Sequence, residues 1–71
     1  MKLSAEEWSV AREVCTPKQV AALDLWRRGA GKKRIGLVLG IDESTAEQHV
    51  RRGLARLGKE LERRAPSEGV A

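Results

Sequence analysis

The stretch KKRIGLVLGIDESTAEQHVR, residues Lys32–Arg51, decides the fold. Its pattern predicts a short helix, a tight turn at Gly40 and a second helix directly after the turn. Ile35 and Leu39 lie four residues apart and share one apolar side of the short helix, with Val38 beside them. Glycine at position 40 adopts the left-handed backbone conformation that ends helices without a steric penalty.

A second glycine, Gly36, lies inside the short helix, where it costs up to about 1 kcal/mol of helix propensity. This cost predicts a packing reason, namely another backbone that passes close to the position. In the second helix, Ala46 and Val50 have the spacing of inward-facing residues. Together these positions predict a helix-turn-helix, whose second helix projects into the major groove of DNA. An ordinary helical hairpin in a small bundle is the alternative interpretation.

Two further helices are predicted upstream of this stretch. Ser4 with Glu7, and Thr16 with Gln19, have the spacing of capping boxes, in which each pair satisfies two backbone amides at a helix start. The predicted fold class is therefore all-α, a small three- to four-helix bundle with a helix-turn-helix and a long C-terminal recognition helix. The predicted helices are residues 4–15, 17–28, 32–39 and 43–64 of a single domain, 1–64, followed by a flexible tail, 65–71.

Four further side chains have a structural interpretation. Trp8 and Trp26 are predicted to pack the first two helices together, and Cys15 to be a small buried hydrophobic residue. His49 has no cysteine, serine or carboxylate constellation around it in the sequence, so it is assigned to the edge of the core. These assignments leave no candidate catalytic group, and we expect that the protein is not an enzyme.

The chain has 71 residues, which is too short for two ordinary domains. Its apolar runs are too short for a membrane-spanning helix, and the N-terminal residues lack the apolar core of a signal peptide. A single cysteine permits no internal disulfide, which fits a reducing cytoplasm. One histidine and one cysteine are too few for a structural zinc site, and we expect neither a metal nor a cofactor.

The positive charge is concentrated in the central segment. The whole chain has a net charge of +4, whereas residues 16–64 alone carry +6. Three consecutive cations, Lys32, Lys33 and Arg34, stand at the start of a predicted helix, where they oppose the helix dipole. A partner anion would compensate for this arrangement, so the charge pattern indicates a polyanion such as nucleic acid.

Three segments carry a resemblance to a known family. They read LDLWRRG over Leu23–Gly29, LGIDEST over Leu39–Thr45, and HVRRGLARLG over His49–Gly58. Together they resemble the DNA-binding domain shared by LuxR-type regulators and region 4 of bacterial sigma factors. The resemblance covers about 40 of the 71 residues, and it implies a helix-turn-helix that binds promoter DNA.

The chain departs from the family pattern at several positions. Glu47 stands where LuxR-like proteins commonly carry lysine, and a carboxylate repels phosphate. Its predicted role is a surface residue or an intrahelical pair with Arg51; the alternative is an acceptor for a cytosine amino group. The other departures are Gly31, Arg34 and Gly36, where the family usually has Ser, Glu and Ala, and Ala46, where it usually has Val.

If DNA is bound, the polar residues divide into two roles. Side chains on the outward side of the second helix reach base edges and select sequence, whereas flanking cations contact phosphates and set affinity. The predicted base contacts are Ser44, Thr45, Gln48 and Arg52. The predicted phosphate contacts are Arg27, Arg28, Lys32, Lys33, Arg34 and Arg51, each of which has solvated surface charge as its alternative.

The sequence therefore predicts a small stand-alone DNA-binding transcription regulator from a bacterium or bacteriophage. It would bind double-stranded DNA in the cytoplasm, with the helix that starts near Glu43 in the major groove, and would not interact with a membrane. The alternative is a protein-interaction module, similar to sigma region 4, that acts on RNA polymerase or another transcription protein with little DNA reading. A homodimer is also left open, since one groove contact gives weak binding.

Overall fold

The computed structural model describes residues 2–65, which form four α-helices and no strand. Each helix lies within about a residue of its predicted bounds, and the predicted all-α class is confirmed. The predicted tail lies outside the described residues except for Ala65, which caps the last helix. The helices are α1 (Ala5–Val14), α2 (Pro17–Arg27), α3 (Lys32–Leu39) and α4 (Glu43–Arg64).

Both predicted capping boxes are present. The Ser4 hydroxyl accepts a hydrogen bond from the Glu7 amide at 3.1 Å, and the Glu7 carboxylate accepts one from the Ser4 amide at 2.9 Å. Thr16 and Gln19 make the same reciprocal pair at 3.2 and 3.1 Å. These bonds satisfy amides that have no partner inside the helix, and so they fix where α1 and α2 begin.

The turn between α3 and α4 has the predicted geometry. Gly40 has a φ of 72°, in the left-handed region, and the Ile41 amide donates to the Gly36 carbonyl at 2.9 Å. Ile41 is half-buried after this turn. Asp42 then caps α4 by accepting from the Thr45 amide at 3.1 Å. Hydrogen bonding to the Thr45 side chain, and secondly to its backbone amide, holds the pKa of Asp42 below its usual value.

The backbone of the turn passes close to Gly36, as the position of this glycine inside a helix predicted. A β-carbon at this site would lie 2.7 Å from the Ile41 carbonyl oxygen, which belongs to the backbone of the turn. Real β-carbons essentially never make contacts this short, so any other residue would force the turn to shift away from α3.

The fourth helix is the centre of the bundle, because α1, α2 and α3 each pack against it and α2 also packs against α3. Gly53 lets α2 approach, since a β-carbon there would lie 2.8 Å from Leu23 Cδ1. Leu3 also belongs to the core although it precedes the first helix and was not predicted to be buried. The buried apolar residues are Leu3, Val10, Ala11, Ala22, Leu23, Ile35, Ala46, Val50 and Leu57.

Three residues predicted in the core or beside it are more exposed in the structure than predicted. Trp8 and Trp26 are half-buried, and each ring faces a cation: the Arg27 guanidinium lies 4.3 Å from the Trp8 ring centroid and the Lys2 ammonium 4.6 Å from that of Trp26. The two rings therefore cover the edge of the core and do not fill it. Val38, predicted beside the apolar side of α3, is 58% exposed, because the helix turns it away from α4.

Cys15 is half-buried beside α4, so it is somewhat more exposed than the buried residue that the sequence predicted. Its thiol donates to the Gly53 carbonyl over a sulfur–oxygen distance of 3.5 Å. Burial raises the pKa of the Cys15 thiol, and this effect outweighs the lowering by the nearby Arg56. The thiol therefore stays protonated at neutral pH and contributes to packing between α1 and α4.

An ion-pair network ties the end of α1 to the end of α4. Arg64 contacts Glu13 of α1 at 2.9 Å and Glu60 of its own helix at 2.6 Å. Arg63 also contacts Glu60 at 2.6 Å. Hydrogen bonds from Arg63 and Arg64 lower the pKa of Glu60 to about 2.

Gly36 gives a direct test of the close approach. We expect Gly36→Val to lower the free energy of unfolding by about 1–3 kcal/mol, as overpacking does, because its side chain would collide with the Ile41 carbonyl. Gly58→Val is the matched control: nothing lies within 4 Å of its β-carbon position, and valine is the better helix former by a few tenths of a kcal/mol. Urea unfolding followed by circular dichroism measures both, and equal stability of the two variants would contradict the prediction.

Glu60 gives a pH-dependent test of the network. Its pKa falls from 4.5 to about 2 on folding, so its stabilising effect is complete above pH 4.5 and disappears as the pH falls towards 2. We expect Glu60→Gln to be less stable than the parent at neutral pH and the difference to shrink below pH 4.5. Glu62→Gln, which alters an exposed carboxylate without an ion pair among residues 2–65, is the control. Thermal unfolding across this pH range measures the effect, and a constant difference would contradict it.

Candidate nucleic-acid interface

The exposed side of α4 presents polar residues over its first half. The buried residues of this helix, Ala46, Val50, Gly53 and Leu57, fall on one side. The opposite side is exposed, and we call it the outer face of α4. It consists of Ser44, Gln48, Arg52 and Ala55, with Arg51 on its flank.

The outer face has the dimensions of a groove contact. Ser44 and Arg52 are eight positions apart, which is about 12 Å along a helix and about the width of the major groove. Neither of these side chains, nor Gln48 between them, makes a hydrogen bond or ion pair with another of the described residues. Thr45, the fourth predicted base contact, is half-buried on the flank of the helix. Three of the four predicted base contacts therefore share the outer face.

Glu47 links two of the predicted phosphate contacts. Its carboxylate lies 3.7 Å from an Arg51 guanidinium nitrogen and 4.0 Å from the Lys32 ammonium. The predicted intrahelical pair with Arg51 is thus present, and the contact with Lys32 brings the start of α3 beside the outer face. Both contacts are long and exposed, and such pairs contribute roughly 0–1 kcal/mol, so both cations are free to exchange Glu47 for another anion.

Two other predicted phosphate contacts are held elsewhere by Asp24. The Arg27 guanidinium lies 2.9 Å from the Asp24 carboxylate, and only 16% of the Arg27 side chain is exposed because it also covers Trp8. Arg28 donates from Nε to the same Asp24 oxygen at 3.2 Å. The structure therefore does not bring Arg27 and Arg28 together with Lys32 and Arg51.

The remaining two, Lys33 and Arg34, are exposed on α3 and make no ion pair with residues 2–65. Arg34 lines a groove with Arg28 and Leu25, at the end of α2. The six predicted phosphate contacts thus divide between two sides of the molecule. Lys32 and Arg51 flank the outer face of α4, whereas Arg28 and Arg34 lie beside the end of α2.

Lys2 is a cation near the interface that the sequence analysis missed. It lines a cavity of about 330 Å³ together with Lys32, Glu47 and Arg51, over an apolar floor that includes Trp26. Its position is fixed by the cation–π contact with Trp26 and by a backbone hydrogen bond from the Lys2 amide to the Arg27 carbonyl. Lys2 precedes the first capping box, so no local pattern in the sequence points to it.

His49 lies at the edge of the core, as its lack of chemical neighbours predicted. It is half-buried and lines a small apolar groove with Pro17, Ala21 and Ile41. Within residues 2–65, no three histidine, cysteine or acidic side chains come together as metal ligands would. No helix in this part of the chain combines the length and apolar composition needed to cross a bilayer.

No protein-family model, curated protein or solved structure matches this chain. The resemblance to the LuxR and sigma region 4 domains therefore rests on the sequence motifs alone.

Proposed function

We propose that the protein is a small DNA-binding transcription regulator of a bacterium or bacteriophage that inserts the first half of α4 into the major groove. The observation that carries this proposal is the outer face of α4. Its hydrogen-bonding side chains lack partners among the described residues, cover about one groove width, and stand on a helix whose other side is locked in the core.

The side chains of the outer face suit different roles at a duplex. Gln48 can form two hydrogen bonds with adenine and Arg52 two with guanine, while Ser44 can contact either. Lys32 and Arg51 flank these residues and would bind phosphates, which sets affinity and register without selecting sequence.

The size of this contact bears on the oligomeric state in which the protein would bind DNA. A single helix in one groove gives a small interface, and helix-turn-helix regulators gain affinity and specificity by binding two half-sites one helical turn apart. We therefore propose that the protein acts at its DNA sites as a homodimer or beside a second transcription protein, in the cytoplasm.

Arg52 and Gln48 give the test of groove reading. From a pool of duplexes with a random centre, we expect the protein to enrich a preferred sequence. On that duplex, Arg52→Ala or Gln48→Ala should lose about 1–3 kcal/mol of binding and relax the preference at one position. Fluorescence anisotropy at two salt concentrations measures this.

Arg12→Ala is the control for that experiment, because it removes one exposed positive charge from α1. It should weaken binding only slightly and equally on every sequence. Failure to bind any duplex at low salt, or equal losses for Arg12→Ala and Arg52→Ala, would contradict groove reading and favour the protein-interaction module.

Glu47 gives a second test, in which the substitution is expected to strengthen DNA binding and not to weaken it. We expect Glu47→Gln to strengthen binding to all duplexes severalfold, since it removes a negative charge near phosphate and releases Lys32 and Arg51. Glu62→Gln, at the far end of α4, makes the same charge change and should have a smaller effect. Weaker binding of Glu47→Gln to the preferred sequence alone would instead indicate that Glu47 accepts from a cytosine amino group.

A further inference from the structure

Two large apolar side chains on α3 face solvent. Leu37 is 76% exposed and Val38 is 58% exposed, and they are the exposed large hydrophobic residues of the described chain. Single exposed hydrophobic residues are common on protein surfaces. These two stand about 100° apart around the last turn of α3, so they occupy neighbouring positions on its exposed side, and we call them together the apolar patch.

This patch adjoins a groove lined by arginines. The groove has a volume of about 420 Å³ and lies between the end of α2 and the start of α3. Leu25 supplies an apolar wall, Arg34 supplies a positive charge that is unpaired among the described residues, and Arg28 adds a guanidinium that also contacts Asp24. Because Arg34 and Val38 are four positions apart on α3, their side chains are neighbours on the helix surface. The groove therefore borders Val38, the nearer residue of the apolar patch, and we call the groove and the patch together the α2–α3 face.

The α2–α3 face points away from the outer face of α4. Lys32 and Gly36 mark the side of α3 that meets α4, since Lys32 contacts Glu47 and Gly36 contacts the turn. At about 100° per residue, Arg34 lies on the opposite side of the helix and Val38 near it. A molecule bound to the α2–α3 face would leave the outer face of α4 open.

The charges of this face determine the kind of occupant. Arg34 has no ion pair among residues 2–65. Lys33 is four positions before Leu37, and Arg34 is four positions before Val38, so the members of each pair are neighbours on the helix surface. Each apolar side chain thus has a cation one turn away. The complementary surface carries apolar residues with carboxylates one turn away, which is the pattern of an acidic amphipathic helix.

A second copy of the chain fits this face less well. A two-fold dimer through it would bring the same cationic surface, with Lys33 and Arg34, from both subunits into one interface, and like charges in one interface oppose association. Duplex DNA would satisfy the cations but would leave Leu37 and Val38 facing phosphate and sugar, where apolar side chains gain little.

We propose that the α2–α3 face is a docking site for an acidic amphipathic helix of a partner protein. Leu37, Val38 and Leu25 receive the apolar residues of that helix, and Arg28, Lys33 and Arg34 receive its carboxylates. The proposal stands independently of DNA binding by α4.

The test uses two synthetic peptides of about 20 residues, long enough to form helix in part. Both carry the same leucine stripe, flanked by glutamates in one peptide and by glutamines in the other. Titrated into the ¹⁵N-labelled protein, the glutamate peptide should shift the amide resonances of α3 and the end of α2. We expect it to bind about five- to tenfold more tightly than the glutamine peptide, the effect of two or three exposed charge pairs.

Variants locate the binding. Arg34→Glu and Leu37→Ser change exposed residues, so the fold should be unaffected, and each should weaken the glutamate peptide about fivefold or more, as loss of one charge pair or one apolar anchor does. Arg12→Glu makes the same charge change on α1 and should have little effect. Leu37→Ser should leave duplex binding unchanged, which separates this proposal from the one for α4.

Several outcomes would overturn the proposal. Equal affinity for the two peptides would remove the charge complementarity on which it rests. Resonance shifts confined to the cavity around Lys2 and Lys32 would place the acidic site elsewhere. Self-association that Leu37→Ser abolishes would assign the face to a second copy, and weaker duplex binding by Leu37→Ser would assign it to DNA.

Discussion

The close approach between Gly36 and the Ile41 carbonyl is the contact on which the arrangement of this molecule depends. With a side chain at position 36, the turn would have to shift away from α3, and the start of α4 would shift with it. The left-handed Gly40 and the Asp42 cap then start α4 within two residues of that contact. The direction of α4 in turn decides which of its residues are buried and which form the outer face.

The core and the surface of the bundle are held by interactions of different strength. Burial of Leu23, Ile35 and Leu57 fixes the helices relative to one another, since each buried side chain contributes about 1.5–3 kcal/mol. The ion pairs beside the outer face are exposed and long. The packed core thus holds α4 in place, while Lys32 and Arg51 can exchange Glu47 for another anion. This arrangement suits a partner that supplies its own negative charge.

The short helix α3 contributes side chains to two surfaces, because α2 and α4 cover only part of its circumference. It contacts α4 through Lys32, contacts the turn before α4 through Gly36, and packs against α2 at the edge of the core. Its other side carries Arg34, Leu37 and Val38 into solvent. The three consecutive cations at its start, which the sequence presents as one cluster, are therefore divided by the helical turn between opposite surfaces. A net charge of +4 conceals this division.

Local signals in the sequence determined the helices and the turn. Capping boxes, the glycine at a helix end and the 3.6-residue period act between residues a few positions apart, so they are visible in the chain itself. Only the tertiary structure decided that Leu3 is buried, that Lys2 joins Lys32 and Arg51, and that Asp24 holds Arg27 and Arg28 away from them. Leu3 and Lys2 precede the first cap and belong to no periodic pattern. Their surroundings come from other helices, and the distances between helices are set by the packing of the whole core.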